Sequence, residues 1–248
     1  MKKAIVIMSG LEDGDMGGYS NELEYIYRNP KNFSEFCRKI GCDIIPYQTS
    51  FMVPQHGCGI DYAPNPGNYF TDGLFTDRNG IFLRLNPADC LAVIFQVYNK
   101  SEKLVGIALA HAGREGTKRQ ISVKMLERLS VHFGSGIFFK VGFSPYIGSC
   151  CHRFKVESLV DRSSFYSLDY SVEGEVGIDL LSENIFQLTK LHTEKYDVYI
   201  PTEQLRQICT CCGRDIRGRY KFPSYRRSQK NKSYEESEKR FAVVMGME

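Results

Sequence analysis

Two strongly apolar segments separated by a short polar stretch constrain the fold of this chain more than any other feature. LAVIFQVY (residues 91–98) and LVGIALA (104–110) are rich in β-branched and aromatic residues, and residues 99–103 between them suit a tight turn. The pattern predicts an antiparallel β-hairpin. Similar apolar runs predict further strands at residues 4–8, 81–85 and 137–143.

Apolar residues at helical spacing alternate with these strands. One stripe consists of Ile121, Met125, Leu126, Leu129 and Phe133, and similar stripes lie within residues 32–40 and 179–191. Alternating strands and helices are typical of α/β proteins. We therefore expect one α/β domain with a mixed sheet, spanning residues 1–248.

The composition predicts a globular, intracellular protein. The chain is 42% apolar and 25% charged, and its apolar run at residues 4–8 is shorter than the core of a signal peptide. We expect no membrane-spanning segment and a cytoplasmic location. Nine cysteines in that compartment favour reduced thiols or metal ligands over a disulfide framework.

Positive charge is concentrated in residues 214–240, where ten Lys and Arg face four acidic residues. A basic segment of this kind can bind nucleic acid. Here the acids of YEESEKR interrupt the charge and aromatic residues are few, so a solvated basic loop is the favoured interpretation and no nucleic-acid partner is expected. The sequence does not predict the oligomeric state.

The hairpin brings a cysteine and a histidine together. Cys90 precedes its first strand and His111 follows its second, so folding the chain at the turn places them opposite each other or one residue apart, with Cβ atoms about 5 Å apart. Three interpretations remain open: a buried thiol beside a hydrogen-bonded histidine, a Cys–His nucleophile pair, and two ligands of a zinc ion. His56, in the loop VPQHGCGI, is the candidate third ligand, and three ligands with an open fourth position describe a catalytic zinc.

Several segments, in this order, resemble one known family. They are NPADCLAVIF, ALAHAGREGT, SPYIGSCCHRF, CTCC and SYRR, and the likeness runs from MGGYS to the terminal RFAVVMGM. The family is that of the multicopper polyphenol oxidases (laccase domain), also described as zinc-dependent purine nucleoside phosphorylases. The resemblance implies an α/β/β/α sandwich of mixed sheets, and it carries the metal-ligand role to His56, Cys90 and His111.

The resemblance also implies a reaction on a small-molecule substrate. The first expectation is a purine nucleoside, either cleaved by phosphate, as with adenosine, inosine or methylthioadenosine, or deaminated by water. Alternatives are hydrolytic editing of peptidoglycan precursors at the same metal, a copper-dependent polyphenol oxidase, and a catalytically impaired binding protein. Copper is the less favoured metal, because a multicopper centre needs many more histidines than the five in this chain.

Other residues of these segments are candidates for supporting roles. Asp89 either orients a ligand histidine or shapes a turn. The candidate substrate contacts are Arg114, Ser144, Tyr146 and Arg226. Tyr225 and Arg227 of SYRR either join the rim of the site or coat the surface.

A second cysteine group is also present in the sequence. Cys209 and Cys212 form a CxxC, and Cys150 and Cys151 are adjacent. Adjacent cysteines are poor partners for a tetrahedral site, so a four-thiolate zinc is not the favoured interpretation. The segment SPYIGSCC is expected to shape a loop near the pocket.

Two departures from the family pattern affect the expected chemistry. Family members usually read HAGWRG, and this chain has Arg114 at the tryptophan position and Glu115 at the arginine position of that motif. Family members also carry an arginine where this chain has Asp15. Glu115 and Asp15 each put an anion in place of a cation. A phosphate site is therefore either lost or rebuilt from Arg114, Lys118 and Arg119. The departures favour water as the nucleophile.

Overall fold

The computed structural model describes residues 3–20, 25–159, 161–190, 195–205 and 207–247 of the chain. Its strands, numbered in chain order, are β1 (Ala4–Met8), β2 (Gly18–Ser20), β3 (Tyr25–Tyr27), β4 (Thr49–Met52), β5 (Ile60–Tyr62), β6 (Gly67–Tyr69), β7 (Gly73–Thr76), β8 (Phe82–Leu85), β9 (Leu91–Asn99), β10 (Leu104–Ala112), β11 (Ile137–Phe143), β12 (Arg153–Lys155), β13 (Leu168–Asp169), β14 (Glu175–Ile178), β15 (Asp197–Tyr199) and β16 (Val243–Met247). The helices are α1 (Pro30–Lys39), α2 (Arg114–Lys118), α3 (Ile121–Phe133), α4 (Leu180–Thr189), α5 (Tyr225–Asn231) and α6 (Tyr234–Glu238).

Two mixed sheets form the centre of the fold. One has the strand order β1-β16-β8-β4-β6 and the other β15-β11-β9-β10-β7-β5. Five neighbouring pairs are antiparallel, whereas β4 runs parallel to β6 and β8, β11 to β15 and β5 to β7. Two smaller sheets, β12-β14-β13 and β2-β3, complete the strand pairing.

Side chains along the central strands point alternately to the two faces of each sheet, which separates the core into layers. In β16, Val243 and Met245 pack against residues of the second sheet such as Ile94, whereas Val244 packs against Phe33 of α1. Successive side chains of a strand point to opposite faces, so one face of each sheet meets the other sheet and the opposite face meets helices.

The outer face of the second sheet is covered by α3 and α4. Val93 and Phe95 of β9 pack there with Met125 and Leu126 of α3 and with Leu188 of α4. The order of layers is therefore α1, sheet, sheet, then α3 with α4, which confirms the expected α/β/β/α sandwich.

The predicted hairpin is present as β9 and β10, but its register differs by one residue from the expectation. An irregularity between Leu104 and Gly106 inserts an extra residue, so that His111 pairs with Ala92. Cys90 therefore lies diagonally from His111 and not opposite it or one residue away. Cys90 immediately precedes β9, and its sulfur still lies close to the imidazole of His111, because both would contact a Cβ atom placed on Gly113.

The predicted helices are present with small shifts at their ends, but the basic segment differs from the expectation. Residues 214–240 contain α5 and α6, and Phe222, Arg227 and Ser228 in this segment are buried. Arg227 donates hydrogen bonds to the carbonyl oxygens of Thr210, Cys211 and Phe222, which fixes the segment to the body of the protein. The prediction of a solvated basic loop was wrong for this reason. Among the described residues, no helix combines the length and apolar character that a membrane crossing requires.

Candidate functional site

A cavity of about 770 Å³ opens where the hairpin ends. Its walls come from the loop after β4, the open ends of β9 and β10, and helix α5. Residues that line it include Phe51, His56, Asp89, Cys90, His111, Arg114, Glu115, His152, Tyr225, Arg226 and Arg240. The structure thus brings the three predicted metal ligands to one cavity.

His111 is held by a carboxylate that sequence analysis did not identify. Its Nδ1 lies 3.0 Å from Oδ1 of Asp72, and both side chains are almost fully buried. The backbone N–H of His111 also donates to the carbonyl oxygen of Asp72. Because the carboxylate accepts from Nδ1, Nε2 is the nitrogen that remains for a ligand.

The free nitrogen of His111 shares a small space with the sulfur of Cys90. A Cβ atom at Gly113 would lie 2.9 Å from Cys90 Sγ and 3.5 Å from His111 Nε2. Glycine at this position therefore keeps the space between the two donor atoms open. Burial acts to lower the pKa of His111, but the Cys90 sulfur and the Asp72 carboxylate outweigh it and raise the pKa to about 9.

His56 stands beside this pair. It has a left-handed backbone conformation, with φ of 56°, and its ring centroid is 5.2 Å from that of His111. The backbone N–H groups of His56 and Gly57 donate to Asp72, so one carboxylate orients both the loop and His111. Desolvation and the proximity of His111 lower the pKa of His56, which leaves its imidazole neutral and able to bind a metal at pH 7.

The donor set fits zinc. An imidazole oriented by a carboxylate, a cysteine sulfur and a second imidazole are the ligand types of a catalytic zinc site. The space beside Gly113 lies next to two of the donors, and the cavity supplies room for a substrate in the open position.

Asp89 has the turn role, not the ligand-orienting one. Its carboxylate accepts hydrogen bonds from Thr210 Oγ1 at 2.6 Å and from the backbone N–H of Arg226 at 2.7 Å. Its φ is 84°, a conformation that non-glycine residues rarely adopt. Asp89 therefore joins the start of β9 to the CTCC segment and to α5, while Asp72 orients the histidine.

Among the described residues, three arginines line the cavity. Arg114 and Arg226 flank one ring, since their Cζ atoms lie 5.3 Å and 5.1 Å from the centroid of Phe154. Arg114 donates to Asp161, and its Nε is buried with no hydrogen-bond partner among the described residues. The third is Arg240, which lies close enough to His56 to lower that residue's pKa.

The other basic candidates do not reach the cavity. Lys118 Nζ pairs with Asp161 at 3.1 Å, and Arg119 pairs with Glu115 at 3.9 Å. Asp15, which stands at the family's arginine position, pairs with Arg28 at 2.8 Å and does not line the cavity. Glu115 does line it.

Ser144 and Tyr146 do not line the cavity, contrary to expectation. Ser144 is fully buried, and its Oγ accepts from the backbone N–H of Ala92 at 2.9 Å. The Tyr146 hydroxyl donates a hydrogen bond to Oδ1 of Asp179 at 2.9 Å, and Asp179 is the N-cap residue of α4. Both side chains are turned inward and stabilise the loop after β11.

His152 is a cavity residue that sequence analysis did not select. Its Nδ1 lies 3.2 Å from the carbonyl oxygen of Ile178, so Nδ1 carries the proton and Nε2 is an acceptor. Burial and the nearby Arg226 and Arg114 lower the pKa of His152 to about 4. It is therefore a neutral imidazole in the vicinity of two guanidinium groups.

Four cysteine sulfurs also come together outside the cavity. The Sγ atoms of Cys150, Cys151, Cys209 and Cys212 all lie within 4.8 Å of one another. The sulfurs of the adjacent Cys150 and Cys151 both reach this group because residues 148–151 form a turn, and these two sulfurs are 3.9 Å apart.

Comparisons with known proteins show the family of this chain. A family model described as multi-copper polyphenol oxidoreductase laccase matches residues 29–235. The purine nucleoside phosphorylase YlmD of Geobacillus stearothermophilus is 33% identical over 150 residues, covering 57% of this chain and 51% of the relative. The protein of the same name from Bacillus subtilis is 36% identical over 85 residues, covering 33% of this chain and 28% of the relative. The chain thus spans about half or less of the length of these curated relatives.

A solved structure shows the same fold. The crystal structure of the hypothetical protein YfiH of Bacillus licheniformis superimposes with a TM-score of 0.68 at 22% identity, covering 98% of this chain and 92% of the other. At this identity the likeness concerns the fold alone.

Proposed function

This chain belongs to the multi-copper polyphenol oxidoreductase laccase family, and from that premise we propose that it is a zinc-dependent purine nucleoside phosphorylase. His56, Cys90 and His111 hold the metal in this proposal, and the nucleoside and phosphate occupy the adjoining cavity. One observation carries it: an Asp72-oriented His111 shares a space with Cys90 at the edge of a cavity lined by three arginines.

Relatives named purine nucleoside phosphorylase support an enzyme of that general kind. Zinc is the proposed metal because the donors are two imidazoles and one thiolate. When bound, zinc supplies a Lewis acid that can polarise a substrate oxygen. The chain has five histidines, and a multicopper centre needs many more, so we do not propose a copper-dependent oxidase reaction.

The arginines support phosphate as the co-substrate. Guanidinium groups bind phosphate through paired, charge-assisted hydrogen bonds, and Arg114, Arg226 and Arg240 all line the cavity. This arrangement offsets the anionic replacements at Asp15 and Glu115, of which only Glu115 reaches the cavity. In this proposal, the three arginines supply the positive charge that is lost at positions 15 and 115.

The proposed reaction assigns distinct tasks to the cavity walls. The arginines hold phosphate while one of its oxygens forms a bond to C1′ of the nucleoside and the C1′–N9 bond breaks. The purine nitrogen gains the proton that hydrogenphosphate loses, and the sugar leaves as its 1-phosphate. Tyr225 supplies aromatic surface for the purine, and the acceptor Nε2 of His152 is available to a sugar hydroxyl.

The test is product analysis with zinc-loaded protein. Adenosine, inosine and methylthioadenosine are each incubated with and without phosphate, and the free purine bases, inosine and ribose 1-phosphate are separated by chromatography. We expect free base and sugar 1-phosphate only when phosphate is present. The Cys90→Ala variant should lose this activity, whereas Cys42→Ala, a matched change beside α1 and outside the cavity, should keep it.

Other outcomes identify other functions. Phosphate-independent formation of inosine from adenosine would replace phosphorolysis with deamination by water at the same site. Failure to convert any nucleoside would contradict the proposal, and hydrolysis of peptidoglycan precursors would then be the reaction to assay.

A further inference from the structure

We propose that Cys150, Cys151, Cys209 and Cys212 bind a second zinc ion, which is structural and separate from the cavity. Their Sγ atoms lie within 4.8 Å of one another, with separations of 3.9 Å for Cys150–Cys151 and 3.7 Å for Cys150–Cys212. Four sulfurs placed tetrahedrally at ~2.3 Å from zinc are ~3.8 Å apart. Two edges of the tetrahedron are therefore already formed.

Backbone donors favour the thiolate form of one of the four cysteines, Cys209. The N–H of Gly148 donates to Cys209 Sγ at 3.3 Å, and the N–H groups of Cys211 and Cys212 donate to the same sulfur. Donors of this kind stabilise a negatively charged sulfur and orient it, as the surroundings of metal ligands commonly do.

Two tight turns bring the cysteines together despite the adjacency of one pair. The N–H groups of Cys151 and His152 both donate to the carbonyl oxygen of Gly148, so Cys150 and Cys151 lie on a turn and not in an extended strand. In the facing turn, the N–H of Gly213 donates to the carbonyl oxygen of Cys209. The N–H of Thr210 donates to the carbonyl oxygen of Tyr146 at 2.9 Å, which links the CTCC segment to the segment SPYIGSCC.

The number and type of donors indicate the metal and its role. Four thiolates in tetrahedral arrangement select zinc or iron–sulfur chemistry, and sulfurs this close together surround one ion more readily than a cluster of several irons. Four protein ligands leave no open position, so the site is structural. This inference does not depend on the proposed function.

The site would hold one wall of the cavity in place. Thr210, between the two cysteines of the CxxC, donates to Asp89, and Asp89 accepts from the backbone of Arg226. Arg227 donates to the carbonyl oxygens of Thr210 and Cys211. A metal that fixes the CTCC turn therefore also fixes Asp89 and the start of α5, which carries Arg226 to the cavity.

The experiment counts metal ions in reduced, full-length protein. The protein is stripped with a chelator, dialysed against zinc alone, and its bound zinc is measured by elemental analysis; a parallel sample is loaded with cobalt for absorption spectroscopy. We expect two zinc ions in the wild type, one in the Cys150→Ser/Cys212→Ser double variant, one in Cys90→Ala, and two in the Cys42→Ala control. Cys150 and Cys212 are exposed, so their replacement leaves the core intact.

This design distinguishes the absence of the cysteine site from the absence of the cavity metal. The intense sulfur-to-cobalt absorption of a four-thiolate site should persist in Cys90→Ala and disappear in the double variant. If the wild type binds one zinc that Cys90→Ala retains and the double variant loses, the cysteine site stands and the cavity metal fails. If the double variant binds as much zinc as the wild type, or the cysteines form a disulfide under reducing conditions, the proposal is overturned.

Discussion

The imidazole of His111 and the carboxylate of Asp72 form a buried pair, with Nδ1 and Oδ1 separated by 3.0 Å. His111 lies near the end of β10, and Asp72 immediately precedes β7, so the pairing of these two strands sets the contact. The carboxylate occupies one ring nitrogen and thereby presents the other toward Cys90. This relationship determines which atom of His111 can bind a metal.

Replacing Asp72 by asparagine should lower the affinity for zinc by about 10- to 100-fold, because the loss of such a carboxylate leaves the ligand histidine less well oriented. Competition with a chromogenic chelator measures the dissociation constant. Asp77→Asn is the matched control, since Asp77 pairs with His132 at 3.0 Å outside the cavity. Equal affinity in Asp72→Asn and the wild type would contradict the role of the pair.

Replacing Arg226 by alanine should raise the KM for phosphate by about 10- to 100-fold, the equivalent of one or two charge-assisted hydrogen bonds. The KM for the nucleoside should change little, because the guanidinium is proposed to contact the anion. Steady-state kinetics with each substrate varied in turn separates the two constants. Arg38→Ala, an exposed change on α1, serves as the control. An unchanged KM for phosphate would remove Arg226 from the anion site.

Replacing Glu115 by glutamine should lower the KM for phosphate by about 3- to 10-fold, because a carboxylate in the cavity wall repels the anion. Its pairing with Arg119 is long, at 3.9 Å, and partly exposed, so the free energy of unfolding should change by less than about 0.5 kcal/mol. Kinetics with phosphate and urea unfolding measure the two effects, with Glu35→Gln on α1 as the control. A higher KM would show that Glu115 helps the binding of phosphate.

His152 should make the metal-free protein sensitive to acid. Burial and the two arginines lower its pKa to about 4, whereas an unfolded chain titrates near ~6.5. Between these values the unfolded state binds more protons, so the free energy of unfolding falls as the pH is lowered through this range. Urea unfolding at several pH values should show a shallower loss in His152→Gln than in the wild type. Identical slopes in wild type and His152→Gln would contradict the assigned shift.

The hairpin illustrates what the sequence could predict. Its two apolar runs and short turn identify β9 and β10, and residues just outside a hairpin lie at its open end, so Cys90 and His111 were correctly placed near each other. The register was not predictable, because the extra residue between Leu104 and Gly106 carries no distinctive sequence signal.

The remaining errors concern residues whose positions depend on long-range pairing. Asp72 meets His111 because β7 pairs with β10, and Arg240 reaches the cavity because the chain turns there into β16. A polar residue directly before a strand was the only available signal for Asp72. Ser144 and Tyr146 were predicted to contact substrate because their segment, SPYIGSCC, was expected to shape a loop near the pocket, but their side chains form hydrogen bonds with Ala92 and Asp179.

The most direct test of this account is a crystal structure of the zinc-loaded protein with anomalous diffraction measured at the zinc absorption edge. The account predicts an anomalous peak in the cavity at about 2.3 Å from Cys90 Sγ and about 2.0 Å from Nε2 of His111, with His56 as the third ligand. A map with no peak beside Cys90 and His111, in crystals whose zinc content is verified, would contradict the central claim.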